Sequence, residues 1–304
     1  MPATTGVILL SSIYWGALYG GSITSILFNI PGEPWSVATT FDGYPMAKSG
    51  KAGKALVIAF LSHGVGAVVG VIMLTFFAPI IAEFALKFGP AEIFAVMMLT
   101  FSAFVGLGGT SPLKTVAAIL FGFILAAVGM DIVSGQLRMT FGFVDLMGGF
   151  NFIVAVIGLF GLGEIFLTVE EGLNIEGIKA RVGLKDIREG LAEIIRYPKA
   201  LIMGSLIGCW MGLKPGGATP ASFMAYGFCK QSYSNKDEFG KGAPAGIIAP
   251  EAAAHGAGTS ATLPMITLGI PGSPTMAVIM GGLMIFGLQP GPMLFKEHAD
   301  FVWG

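Results

Sequence analysis

The chain has 304 residues, of which 54% are hydrophobic and 12% charged, with a net charge of −1 and a mean hydropathy of +0.79. A soluble domain carries about a quarter charged residues, so this composition argues against one. No basic patch points to nucleic acid, and two cysteines, Cys209 and Cys229, make neither a disulfide framework nor a metal-ligand cluster.

The chain begins with an apolar run that holds no Asp, Glu, Lys or Arg from Met1 to Gly32. Met1 to Thr5 has no positive n-region, so a cleaved signal peptide is not expected. The run is broken by Pro31, Gly32, Glu33 and Pro34, and a loop with Lys48, Lys51 and Lys54 follows. Four spans are predicted next, near Ala55–Ala82, Ile93–Gly108, Thr115–Met130 and Phe152–Val169. The longest polar segment then carries Lys179, Arg181, Lys185, Arg188, Arg196 and Lys199. Within it Leu184, Ile187, Leu191, Ile194 and Ile195 form one helical stripe, which predicts an amphipathic helix lying against the cytoplasmic face. Ala200–Phe228 is interrupted by Lys214, Pro215, Gly216 and Gly217, as a helical hairpin would be. A third basic loop holds Lys230, Lys236 and Lys241, and the last charge-free run extends from Ala252 to Phe295.

These runs predict an all-α polytopic integral membrane protein. Long Gly-rich apolar runs favour helices over a β-barrel, whose strands would alternate. The three basic loops place themselves in the cytoplasm by the positive-inside rule. Four spans between the first two loops return the chain to the same side.

The opening break recurs. "IPGEP" at Ile30–Pro34 returns as "IPGSP" at Ile270–Pro274, an offset of 240 at which Gly16 meets Gly256, Ser22 meets Thr262 and Ile26 meets Ile266. Paired Gly/Pro-interrupted apolar segments are the sequence mark of a transporter site. The simpler reading is a pair of proline kinks in ordinary helices. Two related halves with Pro-Gly-broken helical hairpins follow from the repeat: residues 1–169, a cytoplasmic amphipathic linker at 170–199, and residues 200–304. The break at "GLKPGGATPASF", Gly212 to Phe223, has no partner in the first half, so that half is expected to be truncated at its start and the second at its end. This is the pattern of a fragment.

Four stretches carry a family resemblance: "YWGALYGGSITSILFNIPGEPWSVATTFDGYPMAKSGKAGKAL", "KPGGATPASFMAYGFCK", "FGKGAPAGIIAPEAAAHGAGTSATLPMITLGIPGSPTMAVI" and "GLQPGP". Together they resemble the large membrane subunit of tripartite tricarboxylate transporters, over essentially the whole chain. The resemblance implies a permease subunit of the bacterial inner membrane that works with a small membrane subunit and a periplasmic solute-binding protein. It implies uptake of a carboxylate, citrate-like in the founding case, driven by an ion gradient. The coupling ion would be Na⁺ or H⁺, with no other cofactor; no GxxxxGK[ST] phosphate loop occurs. The departures are an absent first break and absent C-terminal spans.

The breaks carry the expected chemistry. Proline lacks an amide hydrogen and glycine relaxes the backbone, so the helix ends with orphan carbonyls before the break and orphan amides after it. In bare lipid each orphan costs several kcal/mol, so protein, water or a ligand must meet it. The carbonyl end suits a cation and the amide end a carboxylate. At the first break the candidates are Asn29, Pro31, Gly32, Ser36, Thr39 and Thr40; at the second, Pro271, Gly272, Ser273 and Thr275. "PGGATPASF" adds Gly216, Gly217, Thr219 and Ser222, and "EAAAHGAGTSA" adds Thr259 and Ser260. Each hydroxyl has an ordinary reading as a helix cap or packing bond. The two IPG breaks are expected to approach one another, with Gly216–Ser222 beside the second.

Ionisable residues in apolar segments stand out as well. Glu251 lies close to Lys241, which places it near the interface, and His255 one turn on is set to pair with it. His63 reads equally as a histidine bonded to a neighbouring helix or as a proton-coupling group, and Glu164 is also set in apolar sequence. Asp42 and the three lysines flank the first motif, the lysines as topology anchors. Two rival classes compete with the permease. "GTSA" at Gly258–Ala261 would make an intramembrane serine hydrolase, with His63 or His255 as base. A non-transporting structural subunit is the other.

Overall fold

The computed structural model describes residues 3–85, 111–131, 136–150, 178–214 and 217–303, with isolated positions from 87 to 98 and from 154 to 170. The predicted spans Ile93–Gly108 and Phe152–Val169, and Glu164, lie wholly or largely outside the described residues. The chain forms two compact units, one of residues 1–87 with 174–304 and one of residues 88–173.

In the first unit α1 covers Ala3–Phe28, α2 Val37–Met46 and α3 Ala52–Ala85. A π-helical turn at Ala47–Lys51 joins α2 to α3, and Gly50 within it has a left-handed φ of 83°. Two stretches, Thr4–Phe28 and Pro34–Phe84, are long and apolar enough to cross a membrane. The predicted span Ala55–Ala82 lies inside α3. In the second unit α4 covers Pro112–Ala126 with Pro112 at its first position. It stops short of the predicted Met130. Gly129 adopts a φ of 116°, which no helix accommodates, and Gly129–Met130 pairs antiparallel with Leu137–Arg138 instead.

Back in the first unit, α5 covers Leu184–Arg196, α6 Pro198–Gly212, α7 Ala218–Ser232, α8 Pro244–Ser260, α9 Thr262–Leu268 and α10 Pro274–Ile285. The expected hairpin is present: α6 and α7 pack together around the interruption after Gly212. Helix α5 forms where the stripe predicts, but only Ile194 of that stripe is buried. Gly190 lies so close to Val57 that a β-carbon there would come within 2.5 Å of Cγ1. Glu193 pairs with Lys54 at 2.6 Å. The packed face of α5 is therefore the Gly190–Ile194 face, and Leu184, Ile187, Leu191 and Ile195 point outward.

Helix α8 is the axis of this unit. Every residue from Ala245 to Ser260 is buried, mostly Ala and Gly. Its neighbours approach to backbone contact. Gly204, Gly208 and Gly212 on α6 face the carbonyls of Ala249, Ala253 and Ala257, leaving no room for a methyl group. Gly66 of α3 meets Ala252 in the same way. Small residues four apart let helices close without a hydrophobic drive, as membrane bundles do.

The two IPG segments share a backbone course. Helices end at Phe28 and Leu268, and the next residue is left-handed in each case: Asn29 with φ 57° and Gly269 with φ 70°. Ile30 N bonds Thr24 O at 3.4 Å, and Ile270 N bonds Pro264 O at 3.3 Å. Glu33 and Ser273 are both extended, and helix resumes at Pro34 and Pro274. Each step falls at the offset of 240. A left-handed residue followed by a long return bond is how helices stop, and Pro at the first helical position is how they restart.

Candidate functional site

The first break is tight. A β-carbon on Gly32 would lie 2.5 Å from Gly21 Cα and 2.9 Å from Thr24 Oγ1, so the backbone after α1 lies against the helix it has just left. Asn29 serves as the left-handed terminator, with its side chain exposed. Asparagine is the residue after glycine that tolerates this conformation best. Pro31 and Gly32 are exposed beside it. Ser36 Oγ donates to Glu33 O at 2.8 Å and accepts from Glu33 N at 3.2 Å, while Thr40 Oγ1 donates to Val37 O at 2.7 Å. These two hydroxyls cap local turns.

Ser222 Oγ donates to Trp35 O at 2.7 Å, which pins α7 to the first break rather than beside the second, where the sequence reading places it. The sequence order of the breaks misleads here, because α7 packs on α8 and on the turn at Pro34–Ser36. Gly217 packs on the Met211 carbonyl, Thr219 is half-buried in the first turn of α7, and Gly216 lies outside the described residues. At the second break Ser273 Oγ accepts from Met276 N at 3.2 Å as a helix cap. Gly272 is buried, with Pro271 and Thr275 half-buried on either side. Trp35 of the first break and Met276 of the second pack into one apolar cluster with Tyr14, Leu18 and Met265. A cavity of about 180 Å³ lies against that cluster, with Ser11, Tyr14 and Thr262 among its few polar groups.

The polar centre lies one layer deeper, on Glu251. This carboxylate is fully buried in α8. Ser22 Oγ of α1 donates to Oε2 at 2.8 Å, Thr39 Oγ1 of α2 donates to Oε1, and His63 Nδ1 of α3 lies 3.1 Å from Oε2. His255 does not reach the carboxylate. Its Nδ1 bonds the Glu251 carbonyl at 3.3 Å, because an i,i+4 ring on the same helix meets the backbone first. The His63 ring touches the His255 ring and receives the edge of Tyr19 at 5.3 Å. His63 Nε2, His255 Nε2 and Thr259 Oγ1 are buried and make no hydrogen bond. One donor atom each from His63, Glu251 and His255 lie within 4.8 Å of one another, close enough to surround one small cation.

Of the sequence candidates, Thr39 belongs to this centre and Thr259 lies two turns along α8 from Glu251. Ser22, His63, Glu251 and His255 complete it. The signal for them was present in their charge or polarity within apolar runs, but their meeting needs four separate helices. Ser260 does not join it. Its hydroxyl donates to Gly256 O at 2.7 Å and bonds no imidazole, which leaves the hydrolase reading without a dyad.

Asp42 has a different task. Its Oδ1 accepts from the amides of Gly240, Gly242 and Ala243 at 2.8 to 2.9 Å, and its Oδ2 from Tyr226 OH at 3.0 Å. Those amides lie in the turn that leads into α8, so a carboxylate sits at the positive end of the helix that carries Glu251.

A helical chain with two apolar, membrane-length stretches, proline-glycine helix breaks and a buried ionisable cluster is a membrane-transport component in class. It belongs to the tripartite tricarboxylate transporter TctA family, whose pattern matches residues 1–304. A 52.8 kDa protein from the TAR-I ttuC′ 3′ region of Agrobacterium vitis is 39% identical over 302 residues, covering 99% of this chain and 60% of that protein. A protein from the TAR-II ttuC′ 3′ region of the same organism is 40% identical over 101 residues, covering 33% of this chain and 40% of that protein. The chain thus spans about 60% of the length of the longer match. No solved structure matches it significantly.

Proposed function

We propose that this chain forms the translocating part of a tripartite carboxylate uptake permease. The observation that carries this reading is its membership of the transporter family along its whole length. In this reading it is a multi-pass protein of the bacterial inner membrane, built from two related halves, 1–169 and 200–304, joined by 170–199. The matched backbone course at Asn29–Pro34 and Gly269–Pro274 supports the repeat. The three lysine- and arginine-rich loops face the cytoplasm, and the outward apolar face of α5 rests in the lipid interface.

A periplasmic solute-binding protein delivers a citrate-like carboxylate, and a small membrane subunit completes the complex. The backbone turns at Gly32–Ser36 and Gly272–Thr275, at the starts of the resumed helices, receive the anion. An ion gradient of Na⁺ or H⁺ drives uptake, with the coupling ion held near Glu251.

The test is uptake of labelled carboxylates by the full-length protein, co-expressed with its small subunit and binding protein and normalised to membrane abundance. Gradient-dependent accumulation is the expected result. Correct assembly with no accumulation of any carboxylate under either gradient would return the chain to the structural-subunit class.

A further inference from the structure

The exposed surface around α5 changes character along α3. In the turn before α3, Lys48 and Lys51 are exposed. Further along, the exposed side chains are apolar: Phe60 on α3, and Ile202 and Leu206 on α6. Asp186 of α5 lies against Gly53 and Gly190 against Val57, so α5 sits between these two zones. Exposed cations give way to exposed hydrocarbon within about three helical turns, as they do at a membrane boundary. Tyr197, next after α5, meets the edge of Tyr233 at 5.6 Å, with Lys199 over the Tyr233 ring. Tyrosines gather at the same depth of a bilayer.

The charges of α5 sort around its axis. Asp186 Oδ2 accepts from Gly183 N at 2.9 Å and packs beside Gly53, and Glu193 pairs with Lys54 at 2.6 Å. Both acids therefore face α3. Arg188 lies one turn on from Leu184 and borders the outward apolar stripe, and Lys185 and Arg196 lie further round on the same side. All three are exposed. Glu189 is the one acid on that arc. It meets Lys185 only at 3.8 Å, with the lysine side chain 87% exposed, so water screens the pair. The Arg196 guanidinium lies over the Tyr197 ring, and among the described residues neither Arg188 nor Arg196 has a carboxylate partner. A helix whose acids and bases balance in sequence thus presents a positive outer arc, because two of its acids are taken up by α3.

We propose that this face of α5 is a docking surface for anionic phospholipid. The stripe of Leu184, Ile187, Leu191 and Ile195 enters the acyl boundary, and Lys185, Arg188 and Arg196 hold headgroup phosphates beside it. The proposal rests on the interfacial placement of α5 in the permease reading above. An apolar stripe bordered by lysine and arginine is the form of a helix that lies in a membrane interface. Each cation there adds attraction to anionic lipid, and the planar fork of arginine meets two phosphate oxygens at once. Charge decides against a second copy of this chain as the occupant. A two-fold contact sets a patch against itself, and here that would bring like charges together.

The experiment uses the full-length protein, assembled with its small subunit, in phosphatidylcholine nanodiscs. An Ile195→Cys variant carries a bimane fluorophore; Cys209 and Cys229 are buried. The discs contain the same small fraction of either doxyl-labelled phosphatidylglycerol or doxyl-labelled phosphatidylcholine. The labelled phosphatidylglycerol is expected to quench about tenfold more effectively per lipid. In the triple variant Lys185→Gln, Arg188→Gln, Arg196→Gln that preference should fall to near unity, while quenching by the labelled phosphatidylcholine remains. Equal quenching by the two lipids before the triple substitution overturns the headgroup site and leaves the interfacial placement standing. A preference that survives the triple substitution overturns the assignment to these residues. Quenching by neither lipid means that the small subunit or a second copy covers the stripe, which overturns both the site and the placement. None of these readings needs transport, so loss of uptake bears on the permease reading alone.

Discussion

Ser22 donates to Glu251 over 2.8 Å, from one residue of the helix that precedes the first break to the helix that leads to the second. With Thr39 and His63 on the same carboxylate, three helices are tied to α8 at one point. Removing the acid strands three polar groups in a buried place. Glu251→Ala is expected to destabilise the folded protein by about 3–5 kcal/mol, and Glu251→Gln, which keeps an acceptor oxygen, by about 1–2 kcal/mol. Thermal unfolding in lipid nanodiscs checks the order. Equal stability of all three proteins would mean the network is not formed.

At the first break the fit of Gly32 against Gly21 leaves no room for a side chain. Gly32→Val is expected to abolish uptake while the flanking helices still insert, because their apolar content is unchanged. Gly16→Ala is the matched control: nothing lies within 4 Å of a β-carbon there, and uptake should be unaffected. Both are read as carboxylate uptake per unit of membrane-resident protein. Normal uptake by Gly32→Val would make the break a mere kink.

Asp42 holds the turn that leads into α8 by accepting three amides and a phenol. Asp42→Ala should cost about 1–3 kcal/mol and Tyr226→Phe about 1 kcal/mol, since the second removes one donor and leaves the amides capped. Hydrogen exchange at Gly240 to Ala245 reports this directly, and should accelerate far more in Asp42→Ala. Similar exchange in the two variants would refute the cap.

The seam between α6 and α8 has no slack. Gly208→Val places a branched side chain on the Ala253 carbonyl, and overpacking of this kind costs about 1–3 kcal/mol or more. Reduced abundance in the membrane and earlier thermal unfolding are expected, and wild-type values for both would show that the helices are not held at backbone contact.

Orientation is tested at Lys185, which is exposed at the start of α5. A Lys185→Cys variant should resist an impermeant maleimide in intact cells and react once the cells are opened. Labelling from outside would invert the assignment.

Among the described residues, the sequence alone determined most of the helices, their apolar character and the breaks. These are local matters: a Pro-Gly pair with a second proline two residues on ends the helix at Ile30–Pro34 and Ile270–Pro274, where the single Pro45, Pro79 and Pro250 leave their helices continuous. The family, too, was legible in long motifs. Charge-poor runs did not reveal which polar residue meets which. Ser36, Thr40, Ser260 and Ser273 look like Thr39 and Thr259 in sequence, yet the first four bond within their own turn or helix and Thr39 reaches Glu251. A hydroxyl takes the nearest carbonyl unless packing brings a stronger acceptor within reach, and that choice is made between helices. Glu251 reads as peripheral in sequence because Lys241 is ten residues away, but α8 runs inward from the Asp42 cap, carrying the acid into the core. The placement of Ser222 on the first break was likewise decided by the packing of α7 on α8 and on the turn at Pro34–Ser36, and the turning outward of the α5 stripe by the close approach of Gly190 to Val57.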